Sequence, residues 1–362
     1  MKRRSETLDL LRGLAALLVM LGSLRSIFFV PFNQLPEPTF LLRVFYFFTG
    51  FGHQCVIVFF VLSGYFVGGA FDQQFDRRRI RSRLKNYGVS RMARLWTVLV
   101  PALVLTWALD TIGLSLTGSA VYTTTDFFPY LPLTNDLSFG TFIGNVFFLQ
   151  TLLVPTFGSN APLWSLANEF WYYCIFPALY LAFARVVPTT TRTWGFVVAV
   201  LILVFLYLFN TTFLEGLVIW LLGFGASLVR RRLSYAFRLG CIVVFVTAFL
   251  LIRVTHFPYQ DMLLGFATAA LVLSIKQVGA IWISRSADFL SRISYTLYLV
   301  HLPIIIFIKT VILPDWQMEG GLMSLFEFAL LATAIVVLSY GVYWVFERNT
   351  DVIKRKISAI PS

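Results

Sequence analysis

A few ionisable residues stand inside strongly apolar runs of this sequence. Arg12 lies in LDLLRGLAALLVML, His53 in GFGHQCVIVFF, Glu169 in PLWSLANEFWYY and His301 in ISYTLYLVHLPII. Such groups are costly in an apolar setting and are kept for function or for a partner. A carboxylate among Trp and Tyr side chains can orient a hydroxyl or pair with a buried cation. An imidazole can serve as a general base near neutral pH. Arg91 and Arg94, at spacing i, i+3, share one helix face at the start of an apolar run, so both guanidinium groups can point at one anion. Arginine suits bidentate contact with phosphate. Each has a plainer reading beside it. Arg12 can pair with Asp9 or a lipid phosphate, and His301 can bond a carbonyl freed by Pro303. Arg91 and Arg94 can be ordinary basic flanks. Lys309, near the end of its run, can snorkel, and His256 reads as a solvated turn residue.

The elements that must position these groups follow from composition. Of 362 residues, 58% are hydrophobic and 13% are charged, and the mean hydropathy is +0.80. Soluble domains run at about 45–50% apolar and about 25% charged. A soluble enzyme, a disordered chain and a nucleic-acid-binding domain are therefore excluded as descriptions of the whole. The composition fits an all-α polytopic membrane bundle with about ten transmembrane helices, each needing about 20 apolar residues. Apolar runs near 8–30, 44–70, 95–112, 164–184, 194–211, 213–229, 238–254, 260–277, 293–312 and 322–346 supply them. The first is too long for a signal peptide and carries Asp9 and Arg12, so it reads as a retained span. Cys55, Cys174 and Cys241 form no metal or disulfide pattern and read as small buried hydrophobes.

The net charge of +12 reads as the cytoplasmic excess of Lys and Arg rather than as a nucleic-acid footprint. Residues 72–94 hold eight Lys or Arg against two Asp and are expected to form a cytoplasmic loop. The stretch 110–139 contains Asp110, Asp126 and Asp136 and no Lys or Arg, so it should face outward. The segment 139–155 is ambiguous. If it spanned, the basic stretch 230–238 would fall outside and the acidic turn at Asp315 and Glu319 inside. Charge therefore favours a re-entrant or interfacial segment there, with both termini cytoplasmic. Irregular backbone at membrane depth is allowed where protein shelters it.

Six stretches carry a resemblance. LDLLRGLAALLVML (8–21), VIVFFVLSGYFVG (56–68), SRMARLW (90–96), PLWSLANEFWYYCIFPALY (162–180), ISYTLYLVHLPII (293–305) and FERNTDVIKRK (346–356) resemble, in order, motifs of the membrane-bound acyltransferase-3 family. That family is O-acetyltransferase-like. The resemblance implies one integral membrane domain over 1–362, with no appended soluble domain, in the bacterial inner membrane. It implies transfer of an acyl group, usually acetyl and alternatively succinyl, from a cytoplasmic coenzyme A thioester. The acceptor would be a hydroxyl of a surface glycan, an exopolysaccharide precursor or a lipid-linked sugar. Arg12, Arg91 and Arg94 would hold the donor phosphates. Glu169 would enter from the outer side of its span. No metal is expected, because three separated histidines lack ligand spacing, and no nucleic acid partner is expected.

One position departs from the resemblance. The family's first helix has Arg, ten residues, then His, the residue that activates the acceptor or relays the acyl group. Here that position is Ser23. Eleven helical residues rise roughly 16 Å, which would put Arg12 near the cytoplasmic interface and Ser23 near mid-membrane. A serine hydroxyl is no general base near neutral pH. Three readings stand: a variant made inactive, a member using another base such as His53 or His301, or a member that binds without catalysis. Ser23 could itself be acylated, but it would need an adjacent base, and none lies in helical register. A transporter or flippase fits the architecture and the intramembrane charges as well.

Overall fold

A computed structural model describes residues 6–35, 37–118, 136–229, 233–255, 257–275 and 284–358, without the side chains of 284–287 and 358. Asp126, His256 and much of the basic stretch near 230 lie outside these residues.

The described chain is helical, with only isolated bridges in place of strands. In order come α1 (Glu6–Phe28), α2 (Phe40–Phe48), α3 (Gly52–Ser63), α4 (Gly69–Gln74), α5 (Ile80–Thr117), α6 (Phe139–Val146) and α7 (Leu163–Phe183). They are followed by α8 (Thr189–Phe209), α9 (Thr212–Leu228), α10 (Tyr235–Val254), α11 (Gln260–Ile275), α12 (Ser284–Phe307), α13 (Leu322–Val345) and α14 (Thr350–Ser358). A π-helical turn, Gly64–Gly68, joins α3 to α4. Seven of the described helical stretches are long and apolar enough to cross a membrane. α7, α9 and α11 complete a helix at each of the ten expected positions. Many helices keep apolar side chains such as Phe196, Leu201 and Val243 on the outside, as a lipid-facing surface would.

The expected loop at 72–94 is corrected. Only the few residues between α4 and α5 break the helix, and α5 then runs for 38 residues. Lys and Arg are good helix formers, so a dense basic run continues the helix into water instead of ending it. The helix stops at Gly118, whose φ of +54° suits a left-handed cap.

The ambiguous segment does not span. α6 has eight residues, about 12 Å of rise against an apolar thickness of about 30 Å. Ser138 caps it by accepting from the Thr141 N–H at 3.2 Å. Asp136 accepts from the Thr141 hydroxyl and the Ser138 N–H, and these donors hold its carboxyl below the usual range. Beyond α6 the backbone turns sharply, with positive φ at Phe148, Thr151 and Gly158. Buried side chains satisfy the irregular backbone. Asn145 bonds Thr141 O, Pro155 O and the Phe157 N–H. Gln150 donates to Leu163 O. Asp110 accepts from both the N–H and the hydroxyl of Ser159, each at 2.7 Å.

Asp110→Ala should therefore lower stability by about 2–5 kcal/mol, because two buried donors would lose their acceptor. Thermal melting in detergent checks this, with faster proteolysis between 139 and 162 as the local signature. A shift within error would count against the anchoring role.

α1 and α12 pack in parallel. Arg12 meets Ser291 and Ser23 meets His301, at sequence separations of 279 and 278. Gly13 allows this approach: a Cβ there would lie 2.7 Å from the Leu290 Cβ. Small residues at such crossings let helix backbones come close in membranes.

Candidate functional site

Arg12, Arg91, Arg94 and Glu169 line one cavity of about 310 Å³ between α1, α3, α5, α7 and α12. Aromatic and aliphatic side chains, among them Phe59, Phe60 and Leu95, form the rest of its wall.

The arginines differ. Arg12 is engaged within the protein: it donates to the Ser291 hydroxyl at 2.6 Å and carbonyl at 3.1 Å, and it lies 3.4 Å from Asp9. The plainer reading, with Asp9 as partner, thus holds for Arg12. Among the described residues, Arg91 and Arg94 have no carboxylate within ion-pair distance. Arg91 lies over the Tyr173 ring at 5.9 Å and touches the Ser90 hydroxyl at 3.4 Å. Two half-buried cations facing one cavity, neither of them in an ion pair among the described residues, form a receptor for an anion.

Among the described residues Glu169 has no cation within ion-pair distance. Its Oε1 accepts from the Ser63 hydroxyl at 2.6 Å and from the Tyr173 hydroxyl. Ser63 accepts in turn from the Trp220 indole at 3.1 Å. Glu169 sits level with Ser63, midway along 52–74, and its carboxylate is held at the same cavity as the arginines. Two prolines shape these walls. Pro177 lacks the N–H that would bond Tyr173 O, and the Tyr87 hydroxyl donates there instead at 3.2 Å. Pro303 likewise frees Leu299 O, which accepts from the Asn160 amide at 2.9 Å. The carbonyl freed by Pro303 is thus taken by Asn160, and His301 is left for another partner.

That partner is Ser23. Its Oγ lies 3.2 Å from His301 Nε2, and both residues are buried. His301 Nδ1 faces the carbonyls of Leu297 at 3.0 Å and Tyr298 at 2.9 Å. Carbonyls only accept, so Nδ1 carries the proton and Nε2 of the neutral ring is an acceptor. The Ser23 hydroxyl therefore donates to Nε2. The absence of a base within helical register does not leave Ser23 alone, because the base comes from α12. Ser23 also lies five residues from the end of α1, past its midpoint rather than at it. His53, the other histidine considered, is turned to Asp261 at 2.7 Å and is half exposed. Lys309 does not snorkel to solvent: it is 9% exposed and donates to Trp316 O at 2.7 Å.

A second cavity, of about 480 Å³, adjoins the first and shares Val67 and Arg91 with it. Arg83, Asn86, Ser90 and Lys354 line it, the last from α14. Sequence reasoning missed Arg83, Lys354, Ser63 and Tyr173 as site residues. Tyr173 was findable as the i+4 neighbour of Glu169, and Ser63 lies inside VIVFFVLSGYFVG. Arg83 and Lys354 carried no signal beyond their charge.

The chain matches a family model described as an acyltransferase domain over residues 6–344. It belongs to the acyltransferase-3 family and is a multi-pass membrane acyltransferase. Comparisons with curated proteins and with solved structures find no match.

Proposed function

We propose that this protein moves an acyl group from a coenzyme A thioester to a hydroxyl of a surface glycan, an exopolysaccharide precursor or a lipid-linked sugar. Acetyl is the first choice of acyl group. The observation that carries the reading is the pair Arg91 and Arg94, facing one cavity with no carboxylate within ion-pair distance of either among the described residues. In this reading they hold the donor's phosphates, with Arg12 fixed beside them. The adjoining cavity with Arg83 and Lys354 supplies more positive charge for the nucleotide end. The acyl end points along the apolar wall toward α12. Glu169, pinned by Ser63 and Tyr173, orients polar groups in the cavity. His301 is the base, and Ser23, at the place of the family's histidine, is its hydrogen-bonded partner. Such groups act by positioning and by preorganised electrostatics. The basic end then faces the cytoplasm of a bacterium, with the protein in the inner membrane.

The test gives radiolabelled acetyl-coenzyme A and, in parallel, succinyl-coenzyme A to the purified protein, with a membrane extract containing native glycan. The Ser23→His form runs beside it. Label should pass to glycan from the unsubstituted protein. Transfer by the histidine form alone would show that the chain as it stands is disabled. Silence of both, in an extract where a known acyltransferase works, would overturn the function.

A further inference from the structure

The Ser23–His301 pair has the parts of an activated nucleophile. A hydroxyl donates to a ring nitrogen at 3.2 Å, and the opposite ring nitrogen is held by two carbonyls. A nucleophile, its base and a third group that orients the base are the general signature of covalent catalysis. The two helices that carry the pair are locked at close approach by Gly13.

The pair does not line the cavity but lies about one helical turn beyond its wall. Tyr298 lines the cavity, and His301 is one turn further along the same helix. Across the bundle Val56 lines it, and Gly52, one turn back, packs beside Gly22, next to Ser23. One turn is about 5 Å. Phe59 and Tyr298, edge to face at 5.7 Å, stand on the cavity wall next to that turn.

We propose that Ser23 is the acyl carrier of this enzyme, forming an acyl-serine ester between donor and acceptor. This rests on the acyl-coenzyme A reading above. His301 Nε2 takes the Ser23 proton as Oγ attacks the thioester carbonyl carbon. The new C–O bond forms, the C–S bond breaks, and the leaving sulfur takes the proton from His301 to depart as free thiol. The acceptor hydroxyl then attacks the serine ester while His301 takes its proton. The acyl–serine bond breaks, and Ser23 Oγ recovers the proton. No electrons are gained or lost. The serine thus replaces the family's histidine in place, while the base moves to α12.

The experiment uses the protein in lipid nanodiscs with acetyl-coenzyme A labelled in its acetyl group and no acceptor. After an acid quench, peptides are read by mass spectrometry and free thiol is titrated. We expect one acetyl on the peptide holding Ser23 and an equal burst of thiol. Native glycan added before the quench should discharge the ester. Ser23→Ala should lose the adduct and the transfer together. Ser23→Cys should keep an adduct that hydroxylamine removes. His301→Gln should slow acylation by at least about 100-fold with donor binding unchanged, which a role in folding alone would not produce. Transfer to glycan by Ser23→Ala at near the unsubstituted rate would overturn the carrier but leave the acyltransferase standing. Turnover by the unsubstituted protein with no ester on Ser23 would do the same. Neither thiol release nor transfer by the unsubstituted protein would overturn both.

Discussion

Replacing Arg91 and Arg94 together with alanine should weaken acetyl-coenzyme A binding by at least about 100-fold and leave the bundle folded. A hydrogen bond to a charged group contributes about 1.5–3 kcal/mol. Losing two such contacts removes about 3–6 kcal/mol, which is roughly 10²- to 10⁴-fold in affinity at about 1.4 kcal/mol per decade. Stability should hold, because neither guanidinium is within ion-pair distance of a carboxylate among the described residues, and the partly buried Glu347, on which the charge of Arg94 acts, keeps its hydrogen bonds from Thr296. The lysine forms should fall between, since they keep the charge and lose the planar fork. Equilibrium binding of labelled acetyl-coenzyme A, with a thermal melt of each variant, makes the comparison. Binding within about twofold of the unsubstituted protein by a folded double variant would sink the donor site.

The second large effect is structural and concerns two glycines that face each other. A Cβ at Gly64 would lie 1.8 Å from the Trp220 carbonyl oxygen, and one at Gly223 would lie 1.9 Å from the Val61 carbonyl oxygen. Here the π-helical turn after α3 and α9 touch backbone to backbone. The obstructing atoms are carbonyls in helices, so they cannot rotate aside as a side chain would. Overpacking of a tight contact costs about 1–3 kcal/mol and sometimes more. Gly223→Ala should reach or exceed the top of that range, lowering the melting temperature by about 6–12 °C at about 2–4 °C per kcal/mol. Activity should fall with it, because Ser63 and Trp220 at this contact hold Glu169. Gly225→Ala on the same helix is the control: nothing lies within 4 Å of its Cβ position, and it should be neutral. Equal melting of the two variants would refute the close contact.

Much of this architecture was legible in the sequence, and the exceptions have physical causes. Length and apolarity set where helices stand, so each expected span holds one. Charge favoured a non-spanning segment at 139–155, because only that arrangement keeps the distant basic stretch 230–238 inside and the acidic turn at Asp315 and Glu319 outside; the structure has only the eight-residue α6 there. The same charge argument misread 72–94. It locates residues relative to a membrane and carries no information on whether the backbone there is helical. Arg91, Arg94 and Glu169 were visible as polar residues out of place in apolar surroundings. The partner of Ser23 was not, since a search within one helix cannot reach a residue 278 positions away. What brings them together is a parallel packing that Gly13 permits. A trace of it exists in the spacing: Arg12 to Ser23 is 11 residues and Ser291 to His301 is 10. Two nearly equal intervals on two helices imply a shared register only once their adjacency is known.

α5 has a consequence for how a ligand of mixed solubility meets this protein. At 38 residues it is about 57 Å long, nearly twice the apolar thickness of about 30 Å. Its first half carries Arg81, Arg83, Lys85, Arg91 and Arg94, and its second half is largely apolar. One continuous helix, with Pro101 inside it, is therefore long enough to cross the boundary between two solvents, and its surface changes character along its length. A molecule charged at one end and oily at the other can lie against it with each part in its preferred phase. Moving from water toward the interior along such a rail would require no release and recapture, so a ligand of that kind would cross the phase boundary without ever being free of the protein.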